Sequence, residues 1–435
     1  MDERTRPLLL PRGAMHDTSL IDDFAALSRI GATAGGGVER QAATTADGEA
    51  RVWMKQWLHD RGFRVEQDRV GNLFGLRELR PGAPYVLAGS HLDSQPRGGR
   101  FDGAFGVLAA MHAADRLCSA HASGLLTPQF NVGVVNWFNE EGSRFKPSMM
   151  GSAVFSRKLP LADALAVTDV DGVSVADALR LIGGAGENDV FGDVREVSSY
   201  IEIHIEQGRE LDKAGIPVGL VESTWAANKY EIAVLGSQSH TGATAMADRR
   251  DALYGAALIV VELRTLAERF GDVLHTSCGE LTAVPNSPVV VAREVSMHVD
   301  LRSSSEEVLA EADALLHARL LDVEIAADVR IEPRVSHSWR GQHYQREGLA
   351  LARDTADDLG LAWMPLRTRA GHDSTNMKDI VPTIMLFVPS VDGISHAEQE
   401  FTRTEDLSAG VDLLAEALAR MVEGTSAEPH DDPTP

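Results

Sequence analysis

Apolar and polar positions along the chain follow the two periods that distinguish strands from helices. Four apolar runs are short enough to be buried strands, and they span Tyr85–Ala88, Asn131–Phe138, Tyr200–Glu206 and Pro382–Val388. The third run alternates strictly, with isoleucines on one face and Glu202, His204 and Glu206 on the other, as a strand does. Apolar stripes with helical spacing, for example over residues 104–117 and 407–422, follow these runs. Strands that alternate with helices in this way predict an α/β fold.

The pattern changes in the middle of the chain, where strands alternate strictly and two helices are longer. The predicted strands and helices are Tyr230–Leu235, Ala247–Phe270, Glu294–Arg302, Ser304–Leu321 and Ala327–Pro333. Two helices on an antiparallel sheet form a compact α+β unit, which we expect to be inserted into the α/β domain. The predicted parts are an α/β domain in two segments, 17–214 and 335–423, the inserted domain, 215–334, and flexible ends, 1–16 and 424–435.

Composition is that of a globular protein, and the charge limits its partners. The chain has 435 residues, 44% hydrophobic and 24% charged, which is enough for two domains. Its net charge of −23 has no basic stripe to offset it, which argues against nucleic acid as a partner. No apolar run reaches the roughly 18 residues of a membrane span, so no membrane partner is expected. The two cysteines, Cys118 and Cys278, form no CxxC pair and favour a reducing cytoplasm.

Residues 89–103 connect the first buried strand to the helix that follows, and they contain the sequences GSHLDS and GGRFDG. Ligands of α/β sheets bind at the carboxyl ends of the strands, where His91 and Asp102 offer an imidazole and a carboxylate to a metal ion. Asp93 is two residues from His91 and is predicted to accept the proton of its second ring nitrogen, as partners of metal-bound histidines do. An ordinary polar loop between strand and helix is the alternative interpretation.

The other predicted strands also end in polar residues with metal-binding groups. Glu140 and Glu141 follow the second strand, His204 lies in the third, and His396 lies in the loop after the last. With the histidine and aspartate of the first loop, they are enough for two divalent ions, zinc or alternatively manganese or cobalt. Neighbouring glutamates on extended backbone point in different directions, so one can bind metal while the other takes a proton from water. Taken singly, a glutamate pair is typical of a solvated turn, and His204 of a surface histidine.

Nine short sequences in a fixed order resemble the amidase branch of the M20 metallohydrolases. They are GSHLDS, GGRFDG, FNEEGSRF, HIEQG, SHTGAT, VPNS, DLRS, AGHDS and GISHAEQE. The similarity covers residues 20–423, and this branch contains N-carbamoyl-L-amino acid hydrolases, β-ureidopropionases and allantoate amidohydrolases. The resemblance implies a di-metal α/β catalytic domain with an inserted α+β lid domain through which two subunits form a homodimer.

The resemblance also implies two divalent metal ions in each subunit, zinc or alternatively manganese or cobalt. Their ligands would be His91, Asp102, Glu141, His204 and His396. Asp102 would bridge the two ions. Glu141 and His396 would complete one site, and His91 and His204 the other.

Catalytic and substrate-binding roles come from the same resemblance. Glu140 would be the general base, and His240 would polarise the scissile carbonyl, in its own subunit's site or in the partner's. Gln207 would contact the substrate near the metals, while Asn286 and Arg302 would bind its carboxylate. Without the resemblance, Arg302 is typical of a surface ion pair, His240 of a turn, and Asn286 of an Asx turn.

Three further residues are interpreted as supporting the site without binding metal themselves. They are Asp93 and the pair His372 and Asp373, which we expect to orient a ligand or close the site. The sequence departs from the family pattern at Ser287–Val291 and at Glu222–Trp225, and both departures leave the exact substrate open.

The leading hypothesis is a cytoplasmic, homodimeric amidohydrolase that cleaves the C–N bond of an N-carbamoyl (ureido) amino acid or related ureido acid by a metal-activated water. An N-acyl-L-amino acid amidohydrolase or dipeptidase on the same scaffold is the alternative, because Trp225 favours a bulky acyl group. A metal-dependent binding protein without catalysis is a further alternative, against which Glu140 and the full ligand set argue. The chain has no GxSxG sequence, which argues against a serine hydrolase.

Overall fold

The computed structural model describes residues 8–10 and 18–424. The α-helices are α1 (Thr18–Ser28), α2 (Thr45–Asp60), α3 (Ala104–Ala122), α4 (Met150–Phe155), α5 (Leu161–Ala166), α6 (Val175–Ile182), α7 (Glu210–Ala214), α8 (Ala252–Phe270), α9 (Glu306–Ala327), α10 (Arg346–Asp358), α11 (Ser374–Met377) and α12 (Thr404–Val422). The strands are β1 (Arg64–Gln67), β2 (Leu73–Arg77), β3 (Tyr85–His91), β4 (Asn131–Trp137), β5 (Val197–Ile205), β6 (Val218–Thr224), β7 (Ala226–Leu235), β8 (Ser239–His240), β9 (Leu274–Val284), β10 (Val290–Val291), β11 (Glu294–Ser303), β12 (Arg330–Trp339), β13 (Trp363–Thr368) and β14 (Thr383–Val388).

The first of two compact units contains the chain up to Glu222, the segment Tyr344–Leu366, and the chain from Ala370. Among the described residues it has an eight-stranded sheet with the order β1-β2-β4-β3-β5-β14-β6-β13. The neighbours β4, β3, β5 and β14 run parallel to one another. Their carboxyl ends therefore lie along one edge of the sheet, which is where α/β proteins bind ligands.

The centre of this sheet is covered by α3, which is apolar on nearly all sides. Residues from Ala104 to Ala114 of this helix are all buried, and the helix packs against β3, β5 and α12. A helix with no polar stripe belongs inside a protein rather than on its surface. The helix begins directly after Gly103, so its packing fixes the end of the loop that carries Asp102.

The second unit contains Ser223–His343 together with Arg367–Arg369. Its four-stranded antiparallel sheet, with the order β12-β7-β11-β9, is covered on one face by α8 and α9. Every second residue of β11, from Val295 to Leu301, is buried in this core. The intervening residues, among them Asp300 and Arg302, lie on the other face of the sheet.

The predicted fold class, an α/β domain with an inserted α+β domain, is confirmed. The observed limits of the units differ from the predicted limits of the inserted domain, residues 215 and 334. Strand β6 pairs with β14, so Val218–Glu222 belongs to the first unit. Strand β12 continues to Trp339 along β7, which extends the second unit at its other end. That this unit acts as a lid stays a prediction.

Strands β6, β9 and β13 are among those that have no counterpart in the sequence analysis. Strand β9 lies at the edge of its sheet and is largely exposed, so its sequence lacks the apolar residues of a buried strand. Helix α8 begins at Ala252 instead of Ala247, because the Asp251 side chain accepts the backbone N–H groups of Leu253 and Tyr254 and caps the helix. Helix α9 continues to Ala327, which delays the following strand.

The part of the N-terminus that the structure describes is docked rather than flexible. The backbone N–H groups of Leu9 and Leu10 donate to the carboxylate of Glu416, and Leu10 is buried in the main core. The other terminal residues predicted to be flexible, 1–7, 11–16 and 425–435, lie outside the described residues. No helix within the described ranges has both the length and the apolarity that a membrane span requires.

Candidate metal centre

The parallel strands bring the predicted ligands to one edge of the sheet. His91 is the last residue of β3, and His204 lies one residue before the end of β5. Glu140 and Glu141 follow β4 closely, and His396 lies in the loop after β14. Four segments that are distant in the sequence therefore meet at the carboxyl edge.

Asp102 lies at the centre of these residues and is buried. Its Oδ1 atom is 3.0 Å from Nε2 of His204 and 3.6 Å from Nε2 of His91. Its Oδ2 atom is 3.2 Å from Nε2 of His396, which is in turn 3.5 Å from Oε2 of Glu141. Each oxygen of one carboxylate thus faces a different group of nitrogen and oxygen atoms, and within each group these atoms all lie within 4.8 Å of one another.

In both buried histidines, His91 and His204, a contact of the ring nitrogen Nδ1 fixes the direction in which the other ring nitrogen, Nε2, points. Nδ1 of His91 is 2.9 Å from the carbonyl oxygen of Asp93, and Nδ1 of His204 is 2.9 Å from that of Ile205. Nε2 of His204 also accepts the backbone N–H of Gly103 at 3.0 Å. A carbonyl accepts but never donates, so each Nδ1 carries a proton, and in the neutral ring Nε2 then keeps its electron pair on the side of Asp102. This is the tautomer that binds a metal through Nε2.

The structure shows which atom of Asp93 is the partner of His91, a choice that the sequence analysis left open. Its backbone carbonyl accepts from His91, whereas its carboxylate accepts the backbone N–H groups of Glu140 (3.1 Å) and Glu141 (3.2 Å). The carboxylate therefore fixes the loop that carries the glutamate pair.

The imidazole ring of His91 lies so close to the backbone at position 103 that only glycine fits there. The φ angle of Gly103 is +60°, and a Cβ atom at this position would lie 2.3 Å from the imidazole ring of His91. Any larger residue would displace the ring or the loop.

Burial and charge together make the site suited to cations. Burial raises the pKa of Glu140 well above its ordinary value, and His91 offsets this only in part. Burial also raises the pKa of Glu141 to about 7. Hydrogen bonds with three histidines outweigh burial at Asp102 and hold its pKa well below its ordinary value. No lysine or arginine among the described residues forms an ion pair with these three carboxylates, so bound cations would compensate their charge.

The distances between donor atoms also fit divalent ions. Zinc–ligand bonds are about 2.0–2.2 Å long, so two ligands of one tetrahedral ion lie roughly 3.4 Å apart. The separations of 3.0, 3.2 and 3.6 Å around Asp102 are close to this value. Imidazole and carboxylate are the ligand types that zinc, manganese and cobalt accept. The residues present therefore fit a pair of ions that share Asp102.

Gln207 lies beside the shared carboxylate, as predicted. Its Nε2 group donates to Oδ2 of Asp102 at 2.9 Å and to Oγ of Ser395 at 3.2 Å. Its Oε1 atom is buried and has no hydrogen-bond partner within the described chain. Its backbone has a φ of +58°, which is unfavourable for a residue other than glycine. An acceptor oxygen is therefore left over next to the candidate metal ligands.

Glu400 is a site residue that the sequence analysis missed. It is buried, and its Oε1 atom accepts the backbone N–H groups of Phe101 and Asp102, both at 3.0 Å. Its Oε2 atom accepts from Ser395 Oγ at 2.9 Å, and burial raises its pKa to about 7. The signal was its position at the end of the GISHAEQE sequence, four residues after His396.

His372 and Asp373 lie behind His204 in the first unit. The imidazole rings of His372 and His204 are 4.6 Å apart. Asp373 is fully buried and accepts a hydrogen bond from the Ser152 hydroxyl. Their placement agrees with a supporting position, while their role stays a prediction.

The other predicted substrate residues, His240, Asn286 and Arg302, lie in the second unit. The guanidinium of Arg302 donates to both carboxylate oxygens of Asp300 and, through Nη1, to the carbonyl of Arg369 at 2.6 Å. Nδ1 of His240 accepts the backbone N–H groups of two residues, Gly242 and Ala243, at 3.0 and 3.1 Å. Asn286 is exposed.

Trp225 is buried and contacts residues of its own unit. Only 6% of the residue is exposed. The guanidinium of Arg369 lies 5.2 Å from the ring centroid, and the His275 ring lies 5.0 Å away. That Trp225 favours a bulky acyl group of the substrate stays a prediction.

A sheet edge that gathers three imidazoles and two carboxylates around one shared aspartate defines a candidate di-metal site. Residues 87–420 match the model of a protein family described as Peptidase family M20/M25/M40. The protein belongs to this family of hydrolases, and the resemblance noted in the sequence is confirmed.

Relatives along nearly the whole chain support this assignment. A putative hydrolase from Mycolicibacterium smegmatis is 61% identical over 96% of both chains. An N-carbamoyl-L-amino-acid amidohydrolase from Rhizobium meliloti is 33% identical over 93% of this chain and 96% of the relative. An allantoate amidohydrolase from Bacillus subtilis is 32% identical over 93% of this chain and 97% of the relative.

The fold is similar to that of a solved amidase of the hydantoinase/carbamoylase family from Burkholderia vietnamiensis. The two chains are 33% identical and superpose with a TM-score of 0.89, covering 97% of this chain and 99% of the other. The prediction that the protein is a hydrolase is thus confirmed, while the roles of individual residues stay predictions.

Proposed function

We propose that the protein is a metal-dependent amidohydrolase that cleaves the C–N bond of an N-carbamoyl amino acid or a related ureido acid. The observation that carries this proposal is the pair of donor groups that share Asp102, with the buried carboxylate of Glu140 beside them. The ureido class is supported by the names of the relatives, which are N-carbamoyl-amino acid and allantoate amidohydrolases.

The five predicted ligands would bind one divalent ion on each side of Asp102. His91 and His204 belong to one group, and Glu141 and His396 to the other. Zinc, or alternatively manganese or cobalt, would lower the pKa of a water molecule there and polarise the substrate carbonyl.

Glu140 is positioned to move the proton in this reaction. Its Oε2 atom lies 3.6 Å from Nε2 of His91, and Asp93 fixes its backbone. Its carboxylate would take a proton from the attacking water and transfer it to the leaving nitrogen of the substrate. Cleavage of an N-carbamoyl amino acid would release the amino acid and carbamate, and carbamate decomposes to ammonia and carbon dioxide.

The remaining predicted residues would bind the substrate. Oε1 of Gln207 is an acceptor for a ureido N–H group. Asp300 holds the guanidinium of Arg302 in one orientation, which would prepare its other N–H groups for the substrate carboxylate. Because Nδ1 of His240 accepts two N–H groups, its Nε2 carries the proton and would donate to the developing oxyanion. Asn286 would assist Arg302 in binding the carboxylate.

The decisive experiment measures ammonia release by protein reconstituted with zinc, manganese or cobalt. The substrates are N-carbamoyl-L-amino acids, 3-ureidopropionate and allantoate, and N-acyl-L-amino acids are assayed for free amine. We expect ammonia from at least one ureido acid, and none after chelation of the metal. An N-carbamoyl amino acid amide, which lacks the carboxylate, should be a poor substrate.

Two results would contradict the proposal. Free amine from N-acyl amino acids without ammonia from any ureido compound would make the protein an acylase or dipeptidase. If the protein, loaded with two metal ions per chain, binds a ureido acid tightly but does not cleave it, it would be a binding protein.

We also propose that two subunits form a homodimer through the second unit. Helix α8 buries one side in the unit and leaves apolar side chains exposed on the other, among them Tyr254, Val260 and Val261. Tyr254 is 50% exposed and Val261 is 59% exposed. Apolar side chains on an exposed helix face are typical of a contact with a second chain.

Changing Val261→Glu is expected to convert the dimer into a monomer, because the glutamate would bury a charge in the apolar contact. Light scattering coupled to size-exclusion chromatography measures the mass. Val170→Glu is the matched control, since Val170 is fully exposed in the first unit and its change should leave the dimer intact. A V261E protein with the mass of the wild-type dimer would show that the contact lies elsewhere.

A further inference from the structure

Glu202 is a fully buried carboxylate that the proposed reaction does not use. It lies on β5, two residues before His204, and none of its surface is exposed. Oε1 accepts from Ser90 Oγ at 2.9 Å, and Oε2 accepts the backbone N–H of Ser374 at 2.8 Å and the Tyr200 hydroxyl at 3.2 Å. No lysine or arginine among the described residues pairs with it. Burying a carboxylate without a basic partner costs folding free energy, so we expect Glu202 to have a specific role.

Two of the three hydrogen-bond partners of Glu202 lie one or two residues from a histidine of the candidate site. Ser90 directly precedes His91 in β3, and Ser374 begins α11 two residues after His372. One carboxylate therefore connects three segments that are far apart in the sequence, and each segment carries one of the histidines.

Tyr200 extends this connection to a fourth segment. Its hydroxyl oxygen accepts from Nε1 of Trp137 at 3.0 Å and lies 3.0 Å from the carbonyl oxygen of Gly89. Trp137 is the last residue of β4, three residues before Glu140. The pair of Glu202 and Tyr200 thus bonds β3, β4, β5 and the start of α11 from within the protein.

We infer that Glu202 is a positioning residue whose hydrogen bonds set the relative places of His91, His204 and His372 at the metal centre. The inference rests on the proposed function, because it assigns a metal centre to these histidines. Partners that orient metal-bound histidines from behind typically change metal affinity by about 10- to 100-fold when they are removed.

Replacing Glu202→Ala is expected to weaken metal binding by about 10- to 100-fold, because the three segments lose their common acceptor. Competition with a chelator measures the affinity. The visible absorption of the cobalt-substituted protein reports the ligand geometry independently of activity, and we expect the cobalt bands to shift. Glutamine has a side chain of the same length as glutamate and keeps one acceptor oxygen. Glu202→Gln should therefore restore most of the affinity and the wild-type bands.

A matched control separates positioning from general stability. Glu416→Ala removes another buried carboxylate of the first unit, one that accepts from Leu9, Leu10 and Arg420. This variant should lose stability while keeping the metal affinity and cobalt spectrum of the wild type. If Glu202→Ala does not fold, Ser90→Ala and Tyr200→Phe each remove one donor and should still shift the bands.

The inference and the proposed function fail in different ways. Wild-type affinity and cobalt bands in the folded Glu202→Ala variant, or in both single-donor variants, would overturn the inference and leave the metal centre intact. A wild-type protein that binds no divalent ion would overturn the proposed function and with it the inference.

Discussion

Changing Glu140→Gln is expected to lower kcat by about 100- to 10,000-fold while both metal ions stay bound. Glutamine has the size of glutamate but cannot take a proton from water at neutral pH. The residue is 7% exposed and its backbone N–H is fixed by Asp93, so the amide should occupy the same place. The measurements are the rate of ammonia release from the best ureido acid and the metal content of the purified variant.

The neighbouring glutamate is the control for this experiment. Glu141 faces His396 and is proposed as a metal ligand, so Glu141→Gln should lower the metal content as well as the rate. The two variants therefore separate proton transfer from metal binding at adjacent positions. A Glu140→Gln enzyme with the wild-type rate would show that another group acts as the base.

Sequence periodicity predicted the central part of the fold because that part is defined locally. The runs at Tyr85–Ala88 and Asn131–Phe138 became β3 and β4, and both faces of these strands are covered. Parallel strands direct their carboxyl ends to one edge, so the placement of His91 and Glu140 near one another followed from the strands alone.

The limits of the units could not be predicted in the same way, because they depend on pairing between distant segments. Val218–Thr224 has no distinctive pattern, and its pairing with the distant strands β14 and β13 assigns it to the first sheet. The segment Arg367–Arg369 likewise belongs to the second unit through contacts such as that of Trp225 with Thr368, more than a hundred residues away.

The supporting residues of the site show a second limit of sequence reasoning. Alternation placed Glu202 on the polar face of a strand, but both faces of β5 are buried, and the polar face became an internal network. For Asp93 the spacing identified the correct residue, but the choice between its carbonyl and its carboxylate depends on the conformation of the loop. Periodicity reports which side of an element a residue lies on, whereas burial and atom choice come from tertiary contacts.

Changing Asp102→Asn is expected to lower activity by roughly 1,000-fold or more, since the loss of the ions removes several kcal/mol of transition-state stabilisation. Each oxygen of Asp102 faces one donor group, and asparagine would present its uncharged NH2 group to one of them. The metal content should therefore fall from two ions per chain to one or none, as elemental analysis measures.

Thermal unfolding tests the same change without reference to the substrate. An ion that binds only the folded state stabilises it by about 2.7 kcal/mol at a free concentration 100 times its Kd, so zinc should raise the Tm of the wild type. Most of that increase should disappear in Asp102→Asn and persist in Asp412→Asn, an aspartate paired with Arg116 away from the site. An Asp102→Asn protein that still binds two ions would place the shared ligand elsewhere. The buried carboxylate of Asp102, which faces three imidazoles, would then need a role other than metal binding.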